Sequence, residues 1–173
     1  AALHDRGTPA GMEGNNASGC LPTRNWTTGV FEGATEIGGD KLTQEYLVQR
    51  GGCHICPIRC KRVIEINEPG LVVERRYGGP EYETLAALGS NCGIGDLSLV
   101  CKANELCNRY TIDTISTGMA ISLAMECYEN GLITKEDTGG LDLRFGNEEI
   151  LLPLIEQIAF RKGFGNVLAD GAH

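Results

Sequence analysis

The sequence has no excess of positive charge and no long hydrophobic run. It carries 15 Lys and Arg against 23 Asp and Glu, and its formal net charge is −8. This balance argues against a nucleic-acid partner, which would require a basic surface. No apolar stretch approaches the roughly 18 residues that would suggest a membrane span. The first residues contain no apolar segment of signal-peptide type, so we expect a soluble, cytoplasmic protein with no membrane partner.

The chain also lacks an initiating methionine, internal repeats and low-complexity tracts. It begins at Ala1 and stops at His173 without a tail, so we expect a piece of a longer protein. Its 173 residues suit one domain, or a domain with an extension, and 42% hydrophobic residues are enough to form a core.

The second half of the sequence has a helical hydrophobic pattern. Asp96 and Asp113 (or Thr114) precede two periodic segments, and each can accept a hydrogen bond from a free amide of the first helical turn. The helix after Asp113 is apolar nearly all round, so we expect it to be buried. Asn147 can cap a last long helix. Pro153 would either kink that helix or mark its true first turn.

Other segments predict smaller elements around these helices. Residues 1–39 are rich in glycine and are expected to form an extended, loop-dominated segment. A short helix is predicted over residues 41–49. Residues 62–66 and 71–74 have strand character around a Pro-Gly turn and predict one small β-hairpin after a cysteine-rich loop. The fold class is therefore mainly α, with an irregular helical domain over residues 40–173 that we expect to be incomplete at its C-terminus.

Eight cysteines are many for a chain without export signals. In a reducing compartment they favour metal ligands or small buried side chains over disulfides. The strongest chemical signal is the Cys-x2-Cys-x3-Cys segment formed by Cys53, Cys56 and Cys60. Two thiolates separated by two residues can bind one metal or one cluster face, and the third can close over the same centre. Thiolates suit iron–sulfur clusters, Zn(II) or Cu(I).

Three interpretations of this triplet are open from its spacing alone. A [4Fe–4S] cluster normally takes four cysteines, and Cys92, which lies in an apparent loop, is the local candidate for the fourth. A structural zinc site would also need a fourth ligand, and His54 is badly placed to provide it. The third interpretation is three incidental cysteines. Cys101, Cys107 and Cys127 lie in helical patterns and are expected to pack in the interior.

Two further segments carry polar side chains that are suited to proton transfer or to binding a polar cofactor. Glu81 and Glu83 are two residues apart and diverge on a helix, so only one can point into a given pocket, where it could exchange protons. Acidic residues at such positions more commonly lie in the solvent-exposed first turn of a helix, where the helix dipole favours them. Asp113, Thr114 and Ser116 can cradle a polar cofactor edge, or they can simply cap the helix that follows.

Taken together, these segments resemble the aldehyde ferredoxin oxidoreductase family. The resemblance extends from Gly7-Thr8 to Gly163-Phe164-Gly165, and its motifs are the cysteine triplet, Gly79-Pro80-Glu81-Tyr82-Glu83-Thr84, Gly89-Ser90-Asn91-Cys92 and Asp113-Thr114-Ile115-Ser116-Thr117-Gly118. It implies a tungsten or molybdenum centre held by two pterin dithiolenes beside a [4Fe–4S] cluster. The implied reaction oxidises small aldehydes to carboxylic acids and passes the electrons through the cluster to ferredoxin.

The resemblance also implies roles for particular residues. Three of them, Cys53, Cys56 and Cys60, are implied to be cluster ligands. The fourth ligand is implied to lie beyond this chain, and Cys92 is then not a ligand. Electron transfer to ferredoxin would pass through this site.

On the pterin side, Glu83 is implied to approach the metal centre as a general base. Asn108, Asp113 and Thr114 are implied contacts of the pterin. The family's pterin loop is typically Asp-x-x-Gly-Leu-Asp or Cys, and three of its positions differ here, among them Thr111 in place of glycine.

The resemblance implies that this chain needs the remaining domains of the same enzyme, so we expect it to be inactive alone. Some family members bind an interfacial iron through a Glu-x-x-His segment, which reads Lys102-Ala-Asn-Glu105 here, so homodimer formation is left open. A different class of function, resting on the cysteine triplet alone, is a non-catalytic iron–sulfur electron-transfer module or a zinc-binding module.

Overall fold

Helices make up most of the regular structure, which confirms the mainly α fold class. In a computed structural model, residues 2–171 are described, and Ala1 and residues 172–173, the ends on which the expectation of a longer protein rests, lie outside them. The helices are α1 (Ala2–Arg6), α2 (Gly11–Ala17), α3 (Gly39–Glu45), α4 (Tyr82–Thr84), α5 (Leu97–Tyr110), α6 (Thr114–Glu129), α7 (Leu151–Ala159) and α8 (Gly165–Leu168). The strands are β1 (Leu47–Gly51), β2 (Lys61–Ile64), β3 (Ile66–Glu68) and β4 (Leu71–Val73). A π-helical turn, Leu85–Gly89, continues α4.

Side-chain caps begin both long helices, as the sequence predicts. Asp96 Oδ1 accepts a hydrogen bond from the Leu99 amide at 3.1 Å. Asp113 Oδ2 accepts one from the Ser116 amide at 2.6 Å. Each bond satisfies an amide that has no partner within its own helix, so the start of each helix is defined locally.

The last long helix predicted after Asn147 is divided into two parts. Asn147 Oδ1 accepts a hydrogen bond from the Glu149 amide at 3.3 Å and caps a 3-10 turn, Glu148–Ile150. The α-helix itself begins at Leu151. Proline has no amide hydrogen and is tolerated in the first turn of a helix, so Pro153 marks the first turn of α7 and produces no kink.

The core lies where α5 packs against α7 and α6 packs against the π-helical turn. Gly118 makes the second contact close, because a Cβ at this position would lie 2.5 Å from the backbone carbonyl of Ala87. The burial of α6 is less complete than its apolar sequence predicts. Ile121 is fully buried, but Ile115 and Leu123 are 41% and 38% exposed.

Two small antiparallel sheets are present where one hairpin was predicted. The pairing of β3 with β4 is the expected hairpin, but β2 pairs with β1, and Gly51 lies opposite Lys61. The helix predicted over residues 41–49 therefore ends at Glu45, and the residues that follow form β1. A strand this short has no periodicity to reveal it, and pairing with a distant segment decides its conformation.

Residues 1–39 contain more helix than the sequence predicts. Both α1 and α2 lie in this segment, with a 3-10 turn, Thr8–Ala10, between them. Met12 of α2 is fully buried, so the segment packs on the core. Helices of five and seven residues are too short to show a hydrophobic period. Residues 18–38 are turns and irregular backbone, as predicted. The division of the chain at residue 39 stays a prediction.

Between residues 2 and 171, no single helix is long and apolar enough to cross a membrane. The helical segments Tyr82–Cys92 and Leu97–Tyr110 meet that criterion only when taken together across a bend of 119°.

Candidate metal centre

The three cysteines of the triplet lie on one loop between paired strands. We call residues 52–60 the cysteine loop. The loop joins β1 to β2, whose antiparallel pairing holds its two ends side by side. The Cys56 amide donates a hydrogen bond to the Cys53 carbonyl at 3.1 Å, which forms a turn between the first two thiols. Cys53 is exposed, and Cys56 and Cys60 are partly buried.

An unusual backbone conformation precedes two of these cysteines. Ile55, before Cys56, has φ of 58°, and Arg59, before Cys60, has φ of 51°. Residues other than glycine rarely adopt this left-handed backbone conformation, and β-branched residues adopt it least of all. Residues that do adopt it concentrate at functional sites. Ile55 is also 86% exposed, so packing of its side chain does not explain the conformation. The strain is consistent with a loop shaped by what its cysteines bind.

The donor chemistry of the cysteine loop fits an iron–sulfur cluster. All eight cysteines are free, and three of those that are not fully buried lie on this loop. Within residues 2–171, no three His, Cys, Asp or Glu side chains converge as they would around one ion. The ligands of a cluster bind separate iron atoms, so the thiolates of a cluster site lie further apart than those around a single ion.

Buried cysteines elsewhere are poor ligand candidates. Cys92 is fully buried, and its Sγ lies 3.3 Å from the Ala87 carbonyl and 3.7 Å from that of Gly118. Burial raises the pKa of Cys92 to about 12 and that of Cys107 to about 12. Metal binding requires the thiolate, so these residues pack as small apolar side chains. The local candidate for a fourth ligand therefore loses its support.

The strands that carry the cysteine loop are basic in an otherwise acidic chain. From residue 46 to residue 64 there is no Asp or Glu. Arg50, Arg59 and Lys61 are exposed and form no ion pair within the described part of the chain. Ile55 and Ile58 are 86% and 46% exposed at the loop surface. We call Arg50, Arg59, Lys61, Ile55 and Ile58 the basic region.

Arg62 lies on the inner side of the same loop and is 1% exposed. Its guanidinium donates hydrogen bonds to the carbonyls of Cys60 at 3.1 Å and Arg59 at 2.9 Å. It also donates to the carbonyls of Asp5 at 2.9 Å and His4 at 3.1 Å in α1. The N-terminal helix is therefore tied to the end of the cysteine loop.

The acidic motif places its two carboxylates differently, as their spacing predicts. Glu81 accepts a hydrogen bond from Thr8 Oγ1 at 2.5 Å, and the same hydroxyl accepts one from the Tyr82 amide at 2.9 Å. Glu83 is exposed in the first turn of α4 and forms no hydrogen bond or ion pair with residues 2–171. Of the two carboxylates, Glu83 is the one available to something outside the chain.

The implied pterin contacts lie where α5 meets α6. Thr114 Oγ1 is 2.8 Å from Thr84 Oγ1, which joins the first turn of α6 to α4. Asn108 Nδ2 donates to the Asn104 carbonyl at 2.9 Å, so its amide is engaged within α5. A cavity of about 190 Å³ borders Asp113 on one side of this junction. The structure thus brings Glu83, Thr114 and Asp113 to neighbouring turns.

Comparison with known proteins shows which family this arrangement belongs to. A family model described as aldehyde ferredoxin oxidoreductase, domains 2 and 3, matches residues 1–173. The chain belongs to the aldehyde ferredoxin oxidoreductase family. It is 44% identical over 159 residues to the tungsten-containing aldehyde ferredoxin oxidoreductase of Thermococcus kodakarensis and 45% identical over 161 residues to that of Pyrococcus abyssi. Both matches cover 91% of this chain and 26% of the relative, so the chain spans about a quarter of their length.

A more distant relative is named for a different substrate. The WOR-like subunit of an aliphatic sulfonate oxidoreductase of Pyrococcus furiosus is 30% identical over 160 residues, which are 88% of this chain and 24% of that protein. Among solved structures, the active-site complex BamBC of benzoyl coenzyme A reductase, in complex with 1,5-dienoyl-CoA, superposes with a TM-score of 0.61. Its identity is 23%, over 77% of this chain and 19% of that chain, so the likeness shows the fold alone.

Membership of the aldehyde ferredoxin oxidoreductase family confirms the resemblance inferred from the motifs. The roles of individual residues stay predictions. The structure adds three residues that sequence reasoning did not single out, which are Gly7, Thr8 and Arg62. Gly7-Thr8 appeared only as part of the family resemblance, and Arg62 appeared only as a strand residue. Gly7 lies against the Cys60 carbonyl, and Thr8 donates a hydrogen bond to Glu81. Arg62 donates hydrogen bonds to α1. Because these partners are more than 50 positions away in sequence, no local pattern indicates them.

Proposed function

We propose that this chain is part of a cytoplasmic tungsten–pterin aldehyde oxidoreductase, in which Cys53, Cys56 and Cys60 provide three ligands of a [4Fe–4S] cluster. The observation that carries the proposal is the cysteine loop, which presents three soft donors between paired strands. Relatives that are 44% and 45% identical are tungsten-containing enzymes, which favours tungsten over molybdenum.

The proposed reaction balances without any other oxidant than ferredoxin. An aldehyde and one water give a carboxylate, three protons and two electrons, and two oxidised ferredoxin molecules each accept one electron. When bound, the tungsten–pterin centre supplies the two-electron oxidation and the cluster relays single electrons. The roles of this chain are to hold the cluster, to border the pterin through Asn108, Asp113 and Thr114, and to provide a carboxylate for proton transfer.

Glu83 is the residue that we assign to proton transfer. Its carboxylate is exposed and has no hydrogen bond or ion pair among residues 2–171, while Glu81 is engaged by Thr8. Glu83→Gln in the complete enzyme should lower kcat by about 100-fold or more, the usual contribution of a general base, with metal and iron contents unchanged. The measurement is aldehyde-dependent viologen reduction. Glu81→Gln is the matched variant, and equal turnover by Glu83→Gln and the unaltered enzyme would remove this role.

The basic region around the cysteine loop supports an acidic ferredoxin as the electron acceptor. Complementary charge steers association, and weak electron-transfer encounters need only a small interface. Arg50→Glu combined with Lys61→Glu should raise KM for ferredoxin about tenfold at low ionic strength, and the difference should fade in high salt. Viologen-linked turnover should not change. Lys135→Glu, which alters another exposed cation, is the control, and an equal KM in both variants would argue against a role for the basic region.

The proposed function is tested by expressing the complete enzyme anaerobically with tungstate. We expect a bound tungsten–pterin, iron and sulfide in cluster proportion, and aldehyde-dependent reduction of viologen. Absence of both pterin and activity would overturn the proposal. One zinc per chain without iron–sulfur absorbance would instead support the non-catalytic zinc-binding module.

A further inference from the structure

Arg62 is a buried cation whose hydrogen-bond partners are all backbone carbonyls. It is 1% exposed and forms no ion pair among residues 2–171. Burying a charge is costly unless it is paired, and a guanidinium cannot lose its proton in a protein. A buried, unpaired positive charge beside a proposed ligand therefore calls for an explanation beyond packing.

The carbonyls that accept hydrogen bonds from Arg62 belong to two segments, and these bonds hold one end of the cysteine loop against α1. Two of them, on Arg59 and Cys60, belong to the loop, and the other two belong to α1. His4 makes a further contact, because its Nδ1 lies 2.8 Å from the Ile58 carbonyl. Every contact of Arg62 with the loop is therefore at its Cys60 end.

Gly7 packs against the Cys60 carbonyl and the Arg62 guanidinium. Its φ is +70°, and a Cβ at this position would lie 2.7 Å from the Cys60 carbonyl oxygen and 3.0 Å from Arg62 Nε. Any side chain there would displace either the carbonyl or the guanidinium. The Cys60 carbonyl is thus held between the backbone at Gly7 and the charge of Arg62, and Cys60 is the only member of the triplet held in this way.

We propose that Arg62 is a positioning residue for the cluster, which holds Cys60 in place and sets the reduction potential through its fixed charge. The inference rests on the proposed function, since it requires a cluster on the cysteine loop. Reduction adds one electron, and a positive charge kept in a dry site next to a ligand favours the more negative, reduced state. Arg62 therefore raises the potential and keeps the cluster able to accept electrons.

The test separates the charge of Arg62 from its hydrogen bonds. In the complete enzyme, purified anaerobically, Arg62→Gln removes the charge and retains one amide donor, while Arg62→Lys retains the charge and loses the planar set of donors. The first measurement is the midpoint potential of the cluster, from a redox titration followed by electron paramagnetic resonance. The second is the rate of iron release to a chelator.

We expect Arg62→Gln to shift the midpoint potential to a more negative value and Arg62→Lys to restore it toward that of the unaltered enzyme. Both variants should release iron about tenfold faster or more, as changes behind metal ligands commonly do. Arg161→Gln, which alters an exposed arginine paired with Asp170, should change neither quantity. A purely structural role for Arg62 would change iron release and leave the potential where it was.

Opposite results would overturn the proposal in identifiable ways. An unchanged potential in Arg62→Gln removes the electrostatic role, and unchanged iron release in both variants removes the positioning role. If Arg62→Gln fails to fold, Arg62→Met replaces it as the variant without the charge and is compared with Gly7→Ala, which keeps the charge and displaces the Cys60 carbonyl. Both should release iron faster, but only Arg62→Met should have a more negative potential, and equal potentials in the two would remove the electrostatic role. A cluster-free unaltered enzyme would refute the proposed function itself, which is a separate outcome.

Discussion

Replacing Cys56 with alanine in the complete enzyme should remove most of its iron and sulfide and its ferredoxin-linked turnover. Cys56 is the middle thiol of the cysteine loop, and Ile55 holds a left-handed conformation just before it. Losing a direct ligand should exceed the roughly 10–100-fold loss of metal affinity that changes behind ligands cause. Iron and sulfide analysis and the visible absorbance of anaerobically purified enzyme provide the measurement.

The chain contains a matched control for this substitution. Cys20 is also exposed, lies outside the cysteine loop, and has only a weak contact of its Sγ with the Ser18 carbonyl at 3.6 Å. Cys20→Ala should keep the full iron content. Equal iron in the Cys20→Ala and Cys56→Ala enzymes would show that the cysteine loop is not the cluster site, whatever the family membership.

Replacing Glu105 with glutamine should lower the free energy of unfolding by about 2–3 kcal/mol. This carboxylate is fully buried and accepts hydrogen bonds from Lys102 Nζ at 2.9 Å and an Arg109 nitrogen at 2.6 Å. It also accepts one from the Glu74 amide at 2.8 Å, which ties α5 to the end of β4. Glutamine keeps the shape but removes the charge that both cations face. Chemical denaturation measures the loss.

The same carboxylate should make stability depend on pH. Burial raises the pKa of Glu105, but hydrogen bonds from Lys102, the Glu74 amide and Arg109 outweigh it, so the native pKa is lowered from 4.5. Its contribution is therefore fully present above pH 4.5 and is lost as the pH falls through the native pKa. Glu105→Gln should lose less stability than the unaltered protein between about pH 6 and about pH 3.

An exposed ion pair provides the comparison for Glu105. Glu36 pairs with Lys41 at 2.7 Å, and its side chain is 60% exposed. Glu36→Gln should change the free energy of unfolding by less than about 1 kcal/mol, because water screens the pair. If Glu105→Gln were no more costly than Glu36→Gln, the buried cluster around Glu105 would not be a stabilising feature.

The elements predicted best from sequence are those with local causes. Asp96 and Asp113 cap the helices that follow them because each carboxylate meets an amide three residues later in the chain. The burial of Cys101 and Cys107 follows from the helical period in the same direct way. In such cases, a few neighbouring residues contain all the interacting groups.

The elements predicted worst depend on partners far along the chain. Residues 47–49 are predicted as the end of a helix, yet they belong to β1, which pairs with β2 across the cysteine loop. The short helices α1 and α2 lie in a segment read as loop, and Met12 is buried only because distant elements cover it. Cys92 was predicted in a loop, but it lies in a buried turn against α6, so the alternative of Cys92 as a fourth ligand loses support.

The candidate site also has some features that follow from local sequence and others that depend on distant contacts. The sequence by itself determined the candidate donors, namely three thiols in a Cys-x2-Cys-x3-Cys segment, and the motif order that identifies the aldehyde ferredoxin oxidoreductase family, because both are properties of residue type and position. Only the tertiary structure decided that paired strands hold the cysteine loop and that Arg62 lies buried against Cys60. It also decided that Thr8 engages Glu81 and that Glu83 has no hydrogen bond or ion pair with residues 2–171. These features arise from contacts between segments remote in sequence, whose geometry exists only after the chain has packed.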